Sequence, residues 1–200
     1  MKHFKEVTCT PPTSGQTNAV IMGRKTWESI PPKFRPLPGR VNVILSRGGS
    51  AGVKGLPSTN DDGASNNDTP VLVATSIDDA MSQITALPDH GATYIIGGGE
   101  IYNTAMKSGL VKRVVYTNVK GMTDDTKYDA FFPEMKDEEW KCVPYEVVTN
   151  KASSSDDENE NSGNHDCDDG EERASKMAKM AAEEHLDAKS GLKYEFLEYI

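Results

Sequence analysis

The chain has 200 residues, a formal net charge of -9 and 26% charged residues. That length suffices for one domain with a sizeable core, and the acidic balance argues against a general nucleic-acid binder. No apolar run reaches membrane length, no signal-peptide core is present, and the cysteines (Cys9, Cys142, Cys167) form no close pair, so the reading is a soluble, cytoplasmic protein with idle thiols and no membrane partner; a monomer without a metal site is also expected.

In chain order, residues 1–8 read as the tail of an amphipathic helix with Phe4 and Val7 on one side, and residues 9–17 as a loop. Residues 20–47 are the most informative stretch. Val20-Ile21-Met22 is a short apolar strand, and Gly23 allows a tight exit into Arg24-Lys25-Thr26. A helix starting there turns free N–H groups and a positive dipole end outward, which suits phosphate. After Pro31-Pro32 and Pro36-Leu37-Pro38-Gly39, a second strand over residues 41–45 ends in Ser46-Arg47. A hydroxyl beside a guanidinium at a strand's carboxyl end is a further anion contact. The unit predicts parallel α/β structure that binds a phosphorylated ligand.

Residues 48–69, rich in Gly, Ser, Asn and Asp, read as a long surface excursion, and residues 71–74 as a strand. Ser76 caps the next helix, with Asp79 completing an acidic capping box, and Ile77, Ala80, Met81, Ile84 and Leu87 share one helical face. Tyr94-Ile95-Ile96 is a strand running into Gly97-Gly98-Gly99; a helix over 100–107 and a strand over 111–119 follow. This alternation implies right-handed crossovers and a mostly parallel sheet flanked by helices. Residues 140–148 and 192–200 are placed as an antiparallel hairpin at one edge. Between them, the acidic residues of 151–191 repel one another and bury nothing, so a disordered insertion is expected, with helical composition over 171–189. The whole is read as one domain, 1–200, with that insertion in a hairpin loop.

The motifs GRKTWESIP, RPLPGR, NVILSR, YIIGGGEIY and YDAFFPE resemble dihydrofolate reductase, in the same order and at compatible spacings, with the fungal-type and other eukaryotic enzymes looking nearest. The match covers residues 1–149 and 192–200. It implies an α/β dihydrofolate reductase-like fold and NADPH-dependent reduction of 7,8-dihydrofolate to tetrahydrofolate for one-carbon metabolism. On that resemblance Arg24, Ser46 and Arg47 hold the adenosine 2′-phosphate, while Lys25 and Thr26 lie near the pyrophosphate. Gly97 and Gly98 let the backbone approach the cofactor, beside Gly23, Leu45 and Ile96. Gly99, Glu100 and Ile101 supply helix-N-terminal N–H groups, and Tyr102 lies toward the nicotinamide. Phe4 packs on the ring system of the substrate, and Ile30, Phe34 and Leu37 line the aminobenzoyl channel. Arg40 forms a bidentate pair with the glutamate α-carboxylate. Thr117 matches the threonine that supports the family's proton-delivering carboxylate.

That carboxylate is missing from its expected place. Aligning residues 4–8 on the family's first helix puts the acid immediately before Met1, together with the first strand, a mobile loop and a Leu-Pro-Trp turn. The chain is therefore expected to be N-terminally truncated, to leave two open rows of backbone groups where the first strand belongs, and to have little or no reductase activity as written. Glu6 is a poor substitute, standing roughly 240° around the helix from the lost position. Two rivals carry weight: a pyrimidine reductase of riboflavin synthesis, which has no evident use for Arg40, and a non-catalytic NADPH/folate-binding paralogue or interaction module.

Overall fold

The computed structural model describes residues 2–57, 69–122, 127–128, 130–136, 138–144, 185–187 and 191–200. Most of the expected insertion, and residues 58–68 of the excursion before it, lie outside the described residues. The chain divides into two compact units, one of Met1–Leu110 with Asp129–Pro133, the other of Val111–Tyr128 with Glu134–Ile200.

The first unit is α/β. Its elements are α1 (Lys2–Cys9), β1 (Thr17–Gly23), α2 (Arg24–Ser29), β2 (Val41–Leu45), β3 (Val71–Ala74), α3 (Ile77–Thr85), β4 (His90–Ile95) and α4 (Gly99–Lys107). The four strands are all parallel, in the order β3-β2-β1-β4. Helices on the faces of a parallel sheet bury its central strands on both sides. That is why burial in β1 and β2 is continuous rather than confined to alternate positions: Ala19 to Met22 and Val41 to Leu45 are all buried.

Two polar residues, Asn18 and Asn42, share that burial, and both are bonded. Asn18 donates to the carbonyls of Thr8 and Thr10 and accepts from the Ala92 amide, tying the end of α1 to β1 and β4. Asn42 donates to the carbonyls of Leu37 and Arg40 and accepts from the Leu37 amide. Pairing of this kind is what makes a buried carboxamide tolerable.

The core of this unit gathers Val20, Met22, Trp27, Ile44 and Val53. Val53 corrects the expectation of a wholly superficial excursion. It returns to the core beside Trp27, whose indole N–H donates to the Lys54 carbonyl at 3.1 Å.

The expected cap of α3 is present, with one difference. Ser76 Oγ accepts from the Asp79 amide, but Asp79 reaches back to the Thr75 amide at 2.8 Å, one residue beyond the cap. Hydrogen bonds from the Gln83 side chain and then from Thr75 hold the Asp79 carboxyl below its ordinary 3.8. A folded-state value below the unfolded one means stability that is complete above pH 3.8 and lost as the pH falls through the folded value. Asp79→Asn is expected to lower the Tm at neutral pH, with the gap to wild type closing in acid; thermal melts across that range check it.

The second unit holds β5 (Val114–Lys120), β6 (Cys142–Pro144), β7 (His185–Leu186) and β8 (Lys193–Tyr199). All its pairings are antiparallel, with β8 between β5 and β6, and β7 also on β8. The expected hairpin of residues 140–148 with 192–200 is present in β6 and β8. The strand placed at 111–119 is corrected: it joins this antiparallel sheet, paired from Val114↔Tyr199 to Lys120↔Lys193, rather than the parallel one. Arg113 and Glu198 fasten that ladder with a two-point ion pair. The helical composition of 171–189 also misleads at its end. His185–Leu186 is strand, and the His185 ring packs on Tyr194 and Phe196 at centroid distances of 5.2 and 5.7 Å. Ladder and ring contacts outweigh local propensity there. Among the described residues β4 borders the parallel sheet and β5 the antiparallel one, with no further strand beyond either. No described helix is long and apolar enough to cross a membrane.

Candidate functional site

At the carboxyl ends of β1 and β4, which are neighbours, the chain leaves each strand through glycine. Gly23 is the N-cap of α2 and Gly98 the N-cap of α4, and neither helix has a side-chain cap. The two exits are stitched together, since the Gly23 amide donates to the Gly97 carbonyl at 2.8 Å and the Ile96 amide to the Ile21 carbonyl at 2.9 Å. Two uncapped helix starts side by side present amide donors and positive dipole ends in one place.

Geometry requires glycine at position 97 and leaves little room at its neighbours. A Cβ on Gly97, whose φ is +104°, would stand 3.1–3.2 Å from the Tyr102 ring, and one on Gly98 would stand 3.4 Å from Thr26 Oγ1. A Cβ on Gly23 would meet Ile101 at 3.1 Å. Ile101 therefore serves through its side chain. Its amide is already donated to the Gly98 carbonyl at 2.9 Å, which leaves Gly99 and Glu100 as the amides of this helix end without a bond among the described residues. Tyr102 lies against Gly97 and stacks at a tilt on Phe132, 5.0 Å between centroids; burial raises its hydroxyl's pKa.

The basic residues expected here divide. Arg24 and Arg47 sit at the ends of β1 and β2, and Lys25 is exposed beside them. Each arginine has a carboxylate partner, Glu28 for Arg24 at 3.0 Å and Glu100 for Arg47 at 3.9 Å. Ser46 differs from the expectation of an open phosphate contact. It is only 6% exposed, and a Cβ on Gly52 would stand 3.2 Å from its hydroxyl. Leu45 is buried in β2.

A second cluster forms around Arg40. The guanidinium lies over the Phe4 ring, 5.8 Å from its centroid, and donates to Thr8 Oγ1 at 2.6 Å and to the Pro38 carbonyl at 3.2 Å. Arg40 is 3% exposed, and burial lowers its pKa, opposed in part by the nearby Cys9 thiol. No carboxylate among the described residues pairs with it. Arg40 also borders a cavity of about 280 Å³, with Thr17, Val41, Leu87 and His90, at the amino ends of the strands. Ile30 and Leu37 pack their inner sides on the Trp27 core, whereas Phe34 is 56% exposed with Lys33 over its ring. Trp27 itself is fully buried and belongs to the core. Thr117 lies in the second unit, on β5 opposite Phe196.

Sequence reading missed four residues of this neighbourhood. Glu28 was signalled by its i,i+4 spacing from Arg24, and Asn42 by a carboxamide inside an apolar run. For Thr8, which reaches Arg40 across 32 residues, and for Lys54 no local signal exists.

The family model for dihydrofolate reductase matches residues 1–164. The dihydrofolate reductase of Candida albicans is 35% identical over 144 residues, covering 72% of this chain and 67% of its own. That of Saccharomyces cerevisiae is 42% identical over 105 residues, covering 52% and 45%. A putative bifunctional dihydrofolate reductase-thymidylate synthase of Oryza sativa subsp. japonica is 38% identical over 136 residues, covering 66% of this chain and 24% of its own. The chain thus spans from about a quarter to two thirds of the curated relatives it matches. With five ordered motifs, a parallel α/β unit and a family match over most of its length, the chain belongs to the dihydrofolate reductase family.

Proposed function

We propose that this chain is a cytosolic monomer carrying the NADPH- and folate-binding surfaces of a dihydrofolate reductase, the enzyme that reduces 7,8-dihydrofolate to 5,6,7,8-tetrahydrofolate, with its own turnover held low by the missing acid. The observation that supports this reading most is the pair of glycine-capped, side-chain-free helix starts at the ends of adjacent strands β1 and β4. Arg24 and Arg47 flank them, and Gly97, with a φ of +104°, holds a backbone conformation that residues with side chains rarely adopt. On this reading the amides of Gly99 and Glu100, with Lys25 and Thr26, hold the pyrophosphate, and Arg24 and Arg47 hold the 2′-phosphate. Gly23, Leu45 and Ile96 form the floor beneath, the half-turn from Ser46 carries Arg47 to the phosphate with Ser46 itself beside it, and Ile101 and Tyr102 border the nicotinamide. The cofactor supplies the hydride when bound.

Phe4 and Leu37 flank the substrate rings, Ile30 and Phe34 the aminobenzoyl group, and Arg40 meets the glutamate α-carboxylate. A desolvated guanidinium with only neutral oxygens as partners favours an anionic ligand. These residues bind, orient and exclude water. Glu6, the one acid of α1, pairs with Lys2 at 3.8 Å and stands about 200° around the helix from Phe4, so it does not face the substrate. Thr117 takes the place of the threonine that supports the family's proton-delivering carboxylate, a role for which α1 offers no suitable acid.

Because the residues at hand act in binding, binding is the test. NADPH is expected to bind more tightly than NADH by roughly 10- to 100-fold, the worth of one or two charge-assisted hydrogen bonds. Arg24→Gln should remove most of that preference, and methotrexate should bind competitively with dihydrofolate. Titration calorimetry showing equal affinity for NADPH and NADH, or no methotrexate binding, would overturn the reading.

A further inference from the structure

Arg24 opens α2, and Glu28 follows one turn later. Both carboxylate oxygens of Glu28 rest on a single nitrogen of Arg24, Nη1, at 3.1 and 3.0 Å. Arg24 Nε and Nη2 make no bond among the described residues. Glu28 has a second anchor that does not depend on Arg24: its Oε1 accepts the Lys54 backbone amide at 3.4 Å. Partial desolvation works against its ionisation, yet the Lys54 amide and Arg24 hold its carboxyl below the usual range. The negative charge is therefore present at neutral pH and fixed to the backbone of the loop. An anion that engages the open edge of Arg24 meets that charge on the far side of the same guanidinium. Glu100 stands near Arg47 in a looser and far more exposed pair, where solvent screens the effect.

We propose that Glu28 is a specificity-determining residue that tempers the grip on the cofactor's 2′-phosphate, lowering affinity for the phosphate-bearing cofactor relative to the phosphate-free one. The inference rests on the reading that Arg24 takes that phosphate. Were Glu28 only a strut that holds Arg24 in place, its removal would weaken phosphate binding. The geometry points the other way. A strut would use the fork of the guanidinium, as paired two-point contacts do, whereas Glu28 occupies one nitrogen and leaves the fork open. Repulsion between a phosphate dianion and a carboxylate a few ångströms apart also exceeds the small ordering gain of one half-exposed ion pair.

The test compares dissociation constants of NADPH and NADH for the wild-type chain, Glu28→Gln, Arg24→Gln and the double variant, at low salt and at higher salt. Gln keeps an acceptor for the Lys54 amide, so the loop contact survives. Glu28→Gln is expected to tighten NADPH roughly fivefold at low salt, about 1 kcal/mol. It should leave NADH within twofold, lose most of its effect at high salt and have none in the Arg24→Gln background. Weaker NADPH binding by Glu28→Gln would establish the strut. Equal changes for both cofactors, or a gain that persists without Arg24, would make the residue merely structural. Either result overturns the proposal while the reading of Arg24 stands. If Arg24→Gln leaves NADPH affinity untouched, the reading of Arg24 falls and the proposal with it.

Discussion

Trp27→Ala is expected to cost about 3–5 kcal/mol of folding stability, the range for emptying a large aromatic from a core. Set against a total of roughly 5–15 kcal/mol for a domain, that loss is enough to populate the unfolded state. The side chain is fully buried amid Val20, Met22, Ile44 and Val53, so its removal opens a cavity in the layer between α2 and the sheet. It also leaves the Lys54 carbonyl without the indole donor. Arg35 loses its platform as well. Its guanidinium lies 5.3 Å from the ring while its Nη1 donates to the Trp27 carbonyl, and it packs against Gly55. Trp27→Phe keeps most of the volume but loses the donor and part of the ring, and should cost about 1–2 kcal/mol. Urea unfolding followed by circular dichroism checks both. A loss under about 1 kcal/mol for Trp27→Ala would mean that the cluster is not the unit's core.

Arg40→Gln should weaken binding of a glutamate-bearing folate analogue by roughly 10- to 100-fold, while pteroate, which lacks the glutamate, binds as before. The selectivity of the loss is the point. A general disturbance of the pocket would weaken both ligands, whereas loss of a carboxylate contact weakens only one. Folding should tolerate the change, because the guanidinium is desolvated without a carboxylate partner, and a neutral side chain relieves that cost. Arg40→Lys is not a mild alternative: an ammonium cannot reproduce the planar fork. Competition titrations with methotrexate and pteroate would decide it, and equal loss for the two ligands would sink the carboxylate assignment.

How far the sequence was legible follows from where each signal resides. Residues 20–22 are recognisable because a strand buried on both faces is apolar at successive positions, and 41–45 follow the same logic except at Asn42, whose hydrogen bonds satisfy it. Ser76 and Asp79 are recognisable because capping is local. β5 is different. Its run of β-formers fits either sheet, and the choice is made by β8, more than seventy residues away. Trp27 is hard to place from sequence for a related reason, since an aromatic beside a Pro-rich loop fits a ligand wall or a core equally well. Only the return of Val53 and the Lys54 carbonyl settles it. The arginines were found by their place at strand ends, but their neutralising glutamates were overlooked, although the step from Arg24 to Glu28 is a familiar helical spacing. The burial of Ser46 depends on Gly52 folding back over it, which no spacing rule announces.

Asn42 has an outcome for how this protein can vary. Surface loops ordinarily absorb insertions and deletions, because their backbone is satisfied by water. The loop before β2 lacks that freedom. A single buried carboxamide accepts from the amide of Leu37 and donates to the carbonyls of Leu37 and Arg40, so it measures the length of chain between them. One residue more or fewer there would strand a polar group in the interior and swing Arg40 off the end of the sheet. Proline at positions 36 and 38 removes two amides that would otherwise need partners. This loop is a gauge of fixed length, and change in it has to come by substitution.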